Sequence, residues 1–331
     1  MFLFCVAAKD LGRKKNAKNY IKSVGATCGR PQYRSPPHTK YHTEQEKNQM
    51  KLCDLHTHSC YSDGSDSPKR IIELAASLGI AVALTDHNTT AGLEEFTLEA
   101  EARGVTAVAG VELSTRYCGK ELHLLGLFLP REHYTDIELL VSDFKLLKEK
   151  SNAELAGKLS EAGYPLDYEE LKHRSPEGNM NRAHIAAELT RLGYVGSIKE
   201  AFDTLLSESH GLYTPPPRPD FFETVALLKR LGALPVLAHP LQELSEDELC
   251  ELLPMAIDAG LVGIETLHSS FSTEQIATAK AIAQKFNLCE SGGSDYHGEN
   301  KPDVALAFGK GELRVPIELY RQLYEISETI K

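Results

Sequence analysis

Seven predicted strands in this chain each end on a histidine, an acidic residue or both, in chain order: HTH after LCDL, DH after VALT, VE after VAG, LH after KE, AHP after PVL, IETLH after VG, and SDYH after SGG. In parallel α/β sheets and barrels the carboxyl ends of the strands are where active sites are built. A single histidine at a strand end is usually a hydrogen-bonded core or surface residue. Seven such ends in series instead require a fold that gathers strand ends around one place. Of the 13 histidines, seven (His56, His58, His87, His123, His239, His268 and His297) sit at or beside these strands.

The intervening segments support that architecture. KLCDLHTH reads as a strand, and Ser67 with Pro68 opens a helix in which Ile71, Ile72, Ala75 and Leu78 keep a three-to-four period, closed by Gly79. IAVALTDH is the next strand, Thr89 to Arg103 a helix closed by Gly104, and VTAVAGVEL and ELHLLGLFL two further strands. Between about Pro130 and Pro219 the pattern becomes a run of helical segments ending in the turn-rich YTPPPRP, which predicts a helical insertion over residues 131–218. Alternation resumes with a Phe221 to Leu231 helix, strand ALPVLAHP, a Ser245 to Ala259 helix, strand LVGIETLH, a Thr273 to Phe286 helix and strand NLCESGGSDYH. The expectation is an α/β fold with a mainly parallel sheet over residues 51–130 and 219–331, interrupted by the insertion.

Charge narrows the partners. The net charge of −11 is unevenly spread: residues 1–50 carry +7, which leaves −18 for the rest of the 331-residue chain. Such an acidic body has no surplus of cations for duplex DNA or an anionic membrane. Residues 1–50 are rich in Lys, Asn, Pro and Gln without sustained periodicity and read as a disordered extension, or as a start-site artefact if translation begins at Met50. The opening MFLFCVAA is followed by basic residues, the reverse of a secretory signal, and no apolar run approaches the roughly 18 residues of a membrane span. Seven cysteines without a CxxC pair read as reduced thiols of a cytoplasmic chain and remove a structural zinc finger from consideration.

Imidazole nitrogen with carboxylate oxygen suits Mn²⁺, Fe²⁺ or Zn²⁺. Alternation along a strand lets His56 and His58 point at one ion while Thr57 points away. Crowded carboxylates repel one another unless cations neutralise them, which is a further reason to expect metals.

HTHSCYSDG, TDHN, the glutamate of VAGVE, AHP and GGSDYH, in this order, resemble the motifs of the PHP superfamily, named for polymerase and histidinol phosphatase, over nearly all of residues 52–315. The helical stretch NRAHIAAELTRLGY, followed later by VLAHP and SGGSDYHG, is most similar to the subgroup with 3',5'-nucleotide bisphosphate phosphatase and 5'-to-3' exoribonuclease activity. The resemblance implies a distorted (β/α)7 barrel with a trinuclear metal centre, Mn²⁺ favoured and Fe²⁺, Zn²⁺ or Mg²⁺ as alternatives. One ion would be held by His56, His58, Glu112 and Asp295, a second by Glu112, His123 and His239, and a third by Asp63, His87 and His297, with Glu112 bridging two ions. It further implies hydrolysis of phosphate monoesters or 5'-terminal phosphodiesters of small nucleotides or short single-stranded RNA by a metal-activated water, with His239 or His297 as proton donor.

Arg182 offers a planar fork to a substrate phosphate, with His184 beside it and His268 as a further substrate contact. Asp86 is expected as the acceptor that holds a histidine tautomer. The chain departs from the family where Leu241 and Gln242 stand in place of the usual basic residue after AHP, which puts one phosphate contact in doubt. Tyr213 and Tyr296 are expected to pack rather than stack on a base, and His38, His42, His133, His173 and His210 to lie at the surface. Three other readings stand beside the main one: histidinol-phosphate phosphatase, a metal-binding module without turnover, and a helical adaptor.

Overall fold

Local chemistry explains where the elements begin. In the computed structural model, which describes residues 51–174, 180 and 182–330, strand β1 (Cys53–Asp54) leads to helix α1 (Pro68–Leu78). Ser67 caps α1 by accepting the Arg70 N–H, Pro68 fills the first turn, and Gly79 ends the helix at φ +65°. Strand β2 (Ala81–Leu84), α2 (Leu93–Arg103), β3 (Ala107–Ala109), β4 (Glu112–Tyr117) and β5 (Lys120–Leu127) follow. Helices α3 (Tyr134–Glu161), α4 (Tyr168–Arg174), α5 (Arg182–Arg191) and α6 (Ile198–Asp203) then run in series. The chain continues through α7 (Phe221–Arg230), β6 (Leu234–Leu237), α8 (Pro240–Glu243), α9 (Glu246–Ala259), β7 (Gly263–His268), α10 (Thr273–Phe286), β8 (Cys289–Gly293) and α11 (Ile317–Ile330). Capping boxes at Ser245 with Glu248 and at Ser272 with Gln275 start α9 and α10. The extension expected over residues 1–50 lies outside the described residues.

The α/β alternation produces two sheets. One is parallel with order β1-β2-β3, and the other has order β4-β5-β6-β7-β8. In the second sheet only β6, β7 and β8 run parallel; β5 is antiparallel to both its neighbours. This departs from the expected mainly parallel sheet for a local reason. Cys118 and Gly119 join β4 to β5 through two left-handed residues (φ 45° and 84°), and a two-residue hairpin can pair its strands only antiparallel. VTAVAGVEL, expected as one strand, divides into β3 and β4, which belong to different sheets. At the break, a Cβ on Gly110 would stand 3.0 Å from Thr85 Cγ2 and 3.1 Å from the Gly126 carbonyl oxygen.

Isolated bridges join the two sheets where their strands give out. His87 bridges Glu112 and Thr57 bridges Tyr296, both in parallel sense. The Glu112 N–H reaches the Asp86 carbonyl at 3.1 Å, the Asn88 N–H reaches the Glu112 carbonyl at 2.8 Å, and the Asp295 N–H reaches the His56 carbonyl at 2.9 Å. His56, Asp86, His87, Glu112 and Asp295, all singled out from the sequence, therefore stand on the seams between the sheets.

Apolar burial forms two clusters under the sheets and a third among the helices between β5 and α7. The third includes Leu155, Leu159, Ile185, Leu189, Leu206 and Tyr213. Among the described residues no helix is long and apolar enough to cross a membrane.

Backbone contact at one seam leaves no room for a side chain. A Cβ on Gly293 would fall 2.4 Å from His56 Cβ and 2.5 Å from its backbone nitrogen, neither of which can rotate away. Gly293→Ala should lower unfolding free energy by about 2 kcal/mol through overpacking, read as a lower urea midpoint at unchanged slope; an unaltered midpoint would show that this seam yields.

Candidate metal centre

Glu112, the first residue of β4, is fully buried and ringed by imidazoles. Its Oε2 lies 3.3 Å from His56 Nε2, 3.3 Å from His58 Nε2 and 2.9 Å from His87 Nδ1. Its Oε1 lies 2.9 Å from His123 Nδ1 and 3.1 Å from His239 Nε2. Five rings from β5 and the ends of β1, β2 and β6 thus converge on one carboxylate.

Two more carboxylates flank it. Asp295 Oδ1 is 3.2 Å from His58 Nε2 and 3.7 Å from His56 Nε2. Asp63 Oδ1 is 3.2 Å from His297 Nε2 and 3.8 Å from His58 Nδ1, while its Oδ2 is 3.8 Å from His87 Nε2. Every histidine and carboxylate expected as a ligand is therefore in one cluster. The expected partition into three sets is less sharp: His58 turns one nitrogen to the Glu112 and Asp295 side and the other to Asp63. His87 likewise divides between Glu112 and Asp63.

The residues fit a set of cations. His56 Nε2, both nitrogens of His58, His87 Nδ1 and Glu112 Oε2 are buried without a hydrogen bond. Buried polar atoms are ordinarily satisfied, so a convergent set of unsatisfied lone pairs is the donor arrangement that a divalent ion completes. Overlapping triads offer ligand atoms within 4.8 Å of one another: His56, His58 and Asp295; His56, Glu112 and His239; His87, Glu112 and His123; with Asp63, His58, His87 and His297 as a fourth group. Divalent metals are the cofactors such a centre takes.

Burial works to lower the His56, His87 and His123 rings, but Glu112 and the other nearby carboxylates outweigh it and hold them above the ordinary imidazole range, so these rings would give up a proton where an ion takes their lone pair. Burial works to raise the Glu112 carboxyl pKa, but the His87, His56 and His123 rings outweigh it and hold the group ionised, well below its ordinary value. Burial, aided by the neighbouring His297 and His87 rings, pushes His58 down to about 3, so its ring is neutral and its lone pairs available. Asp63, despite burial, is held below the ordinary carboxylate range by His87, His297 and His58.

Two buried carboxylates hold the loops that carry the site. Asp54 accepts the Ser294 N–H at 2.8 Å, the Ser294 hydroxyl at 2.5 Å and the Ala307 N–H at 2.8 Å, which fixes the turn next to Asp295. Asp86 accepts the Ser59 N–H at 2.7 Å and the Ser59 and Ser62 hydroxyls at 2.6 Å each. It was expected to hold a histidine tautomer; it ties down the 59–62 turn instead, because those donors lie closer to its oxygens than any ring. Asn88, His239 and Asp295 adopt left-handed backbone (φ 51°, 27° and 57°), strain of a kind concentrated at functional sites.

The expected substrate residues are placed differently. The Arg182 guanidinium stacks 4.1 Å from the Tyr213 ring centroid and donates to the Leu206 carbonyl at 3.2 Å. Its charge helps hold Glu121 down at about 2, after burial opposes that shift and His123 and Arg218 favour it. Tyr213 is buried beneath it, and the Tyr296 hydroxyl donates to Asp66 at 2.6 Å, so both tyrosines pack. His184 is half-buried on α5. His268 is buried at the end of β7, its Nε2 3.7 Å from Asp295 Oδ2.

Sequence reasoning missed four charged residues here: Asp54, Glu121 (3.1 Å from His123 Nε2), Glu265 (3.1 Å from His56 Nδ1) and Lys301 (2.7 Å from Asp295 Oδ2). A signal existed for Glu265, since a carboxylate inside the wholly buried strand GIETLH needs a partner.

With this geometry in place, comparison with known proteins is decisive. The PHP domain model matches residues 54–210. A 5'-3' exoribonuclease of Haemophilus influenzae is 32% identical over 249 residues, 75% of this chain and 90% of that protein. The chain belongs to the PHP domain family. A phosphoribosyl 1,2-cyclic phosphate 1,2-diphosphodiesterase of Eggerthella lenta is 34% identical, covering 74% of this chain and 94% of the relative. A 3',5'-nucleoside bisphosphate phosphatase of Chromobacterium violaceum is 30% identical, covering 77% and 91%. A solved structure from Bifidobacterium adolescentis, provisionally named a metal-dependent phosphoesterase, superposes with a TM-score of 0.69 at 29% identity, covering 82% of this chain and 94% of the other. This PHP protein is an α/β hydrolase of phosphate esters.

Because His58 faces Glu112 and Asp295 through one nitrogen and Asp63 through the other, whereas Asp63 lies only on the His87 and His297 side of the cluster, their losses should differ. His58→Ala should retain fewer metal ions per chain after dialysis than Asp63→Ala, counted by inductively coupled plasma mass spectrometry. Equal counts in the two variants would contradict the shared position of His58.

Proposed function

We propose that this PHP protein removes the 3'-phosphate of 3',5'-bisphosphonucleosides, shortens 5'-phosphorylated RNA or DNA ends, or does both, using three divalent ions with Mn²⁺ favoured. The observation that carries this reading is the buried Glu112 with five imidazoles and two flanking aspartates, whose unsatisfied lone pairs face one another. When bound, the ions supply an acidified water and neutralise phosphate charge.

The chain's own residues do the rest. Glu112, His56, His58 and Asp295 would hold one ion, Glu112, His123 and His239 a second, and Asp63, His87 and His297 a third. His239 and His297, the two candidate proton donors, already turn a nitrogen to Glu112 (3.1 Å) and Asp63 (3.2 Å), which favours holding ions over delivering protons. Lys301, 43% exposed beside Asp295, is positioned at the rim to meet a phosphate and offers the cation that Leu241 and Gln242 do not. Arg182, held by Tyr213 and near Glu121, supports recognition of a second phosphate from the helical side.

The two sheets are read as halves of one distorted (β/α)7 barrel, supported by the bridges His87 to Glu112 and Thr57 to Tyr296. Residues 131–218 are read as an insertion, supported by the separate apolar cluster of their helices. Five free cysteines among the described residues fit a reducing, cytoplasmic setting. A cyclic phosphodiester is a second substrate class, favoured by the 34% identity to the Eggerthella lenta diphosphodiesterase.

Product formation with Mn²⁺ should be followed by chromatography on four substrates: 3',5'-bisphosphonucleoside (giving nucleoside 5'-monophosphate and phosphate), 5'-phosphorylated oligoribonucleotide (giving nucleoside 5'-monophosphate), ribose 1,2-cyclic phosphate 5-phosphate (giving the ring-opened phosphomonoester) and histidinol phosphate (giving histidinol and phosphate). The nucleotide substrates should exceed histidinol phosphate by at least about 100-fold in kcat/KM, the scale of discrimination by specific polar contacts. Preference for histidinol phosphate would overturn the reading, and preference for the cyclic substrate would select the second class. His58→Ala and Asp295→Ala should abolish turnover while leaving the circular-dichroism spectrum unchanged.

A further inference from the structure

Glu265 is buried at the centre of β7, yet it faces none of the nitrogens that converge on Glu112. Its Oε1 lies 3.1 Å from Nδ1 of His56, and its Oε2 accepts the backbone N–H of His239 at 2.8 Å. We propose that Glu265 is a positioning residue that fixes His56 in its Nδ1–H tautomer and anchors the backbone of His239, so that both rings present Nε2 to Glu112.

A neutral imidazole carries one proton on two nitrogens, and an ionised carboxylate only accepts. When His56 gives up one proton to hold an ion, the proton it keeps therefore belongs on Nδ1, facing Glu265. That leaves the Nε2 lone pair directed at the space 3.3 Å from Glu112 Oε2 and 3.7 Å from Asp295 Oδ1, where this nitrogen has no hydrogen bond. The other oxygen of Glu265 does a different task. His239 stands at φ 27°, ψ 51°, a backbone conformation disfavoured for a residue with a side chain, and a charge-assisted bond to its N–H offsets that cost. One side chain on β7 thereby sets the ring of a residue following β1 and the backbone of a residue following β6.

The competing role for Glu265 is as an ion ligand itself, because His56, Glu265 and His268 also offer atoms within 4.8 Å of one another. That role would require a lone pair on Nδ1 of His56, which moves the proton to Nε2 and withdraws His56 from Glu112 and Asp295. It would also have to share Glu265 with the His239 N–H. Positioning uses both oxygens as they stand.

The inference rests on the metal-centre reading of the proposed function, and its test separates the two. Glu265→Gln keeps the volume, but an amide has one acceptor for two donors. Mn²⁺ titration of the full-length apo protein, followed by electron paramagnetic resonance of free Mn²⁺, should show one class of ions weakened by about 10–100-fold, the scale for loss of a carboxylate behind a ligating histidine. Ions held on the Asp63 and His297 side should bind as in wild type. Unchanged affinity and stoichiometry in Glu265→Gln, with or without a lowered thermal midpoint, would overturn the proposal and leave the metal centre standing. Wild-type protein that takes up no Mn²⁺ would overturn both.

A measurement that needs no variant is long-range ¹H–¹⁵N correlation of histidine rings in the Zn²⁺-loaded wild-type protein. A His56 ring protonated on Nδ1 and coordinated through Nε2 is the expected signature; coordination through Nδ1 would overturn the proposal.

Discussion

A carboxylate with no exposure to water is the constraint around which this molecule is built. Removing an ionised carboxylate from water without compensation costs far more than a domain's net stability. Glu112 is nevertheless held ionised: five imidazoles from four parts of the chain surround its two oxygens, and of these the His87, His56 and His123 rings outweigh the cost of burial. Its location matters as much as its partners. Glu112 begins β4 at the point where the end of β2 bridges the second sheet, so the seam that unites the two sheets also carries the charge. Fold and site therefore depend on the same few backbone hydrogen bonds.

Rigidity around that charge comes from further buried carboxylates, each dedicated to one loop. Asp54 gathers three donors from the turn before Asp295 and from Ala307, and Asp86 gathers three from the turn before Asp63. These bonds sustain left-handed backbone at Asp295, while Glu265 does the same for His239. The loops that carry Asp295 and Asp63 are thus each held by a buried carboxylate from outside the cluster. Such paired shells give the geometric precision that phosphoryl chemistry demands of a protein.

Much of this was legible in the sequence, for identifiable reasons. The helix starts expected at Ser67, Ser245 and Thr273 fall within one residue of those observed, because start signals lie within one turn. The clustered histidines and carboxylates were readable because only a few side chains can hold a divalent ion, and the nine expected as ligands lie together. What escaped was set by long-range partners. His56 and Glu265 are 209 positions apart, and Asp54 and Ser294 are 240 apart, so neither pairing leaves a local pattern. The break at Gly110 escaped because VTAVAGVEL carries no proline or turn pair to mark it, and the close approach of Thr85 and Gly126 to Gly110 comes from residues distant in sequence. Asp86 was assigned to a histidine on motif position alone, whereas the serines of HTHSCYSDG take its oxygens.

The central claim is that the convergent lone pairs around Glu112 are a binding site for divalent ions. Anomalous diffraction at the manganese edge, from crystals grown with Mn²⁺, tests it most directly. The account predicts peaks within about 2.0–2.3 Å of Glu112 Oε2 and the facing histidine nitrogens, a range set by first-row metal bonds to nitrogen and oxygen. Anomalous density confined to the surface, with the five imidazoles still closed on an ion-free Glu112, would contradict it.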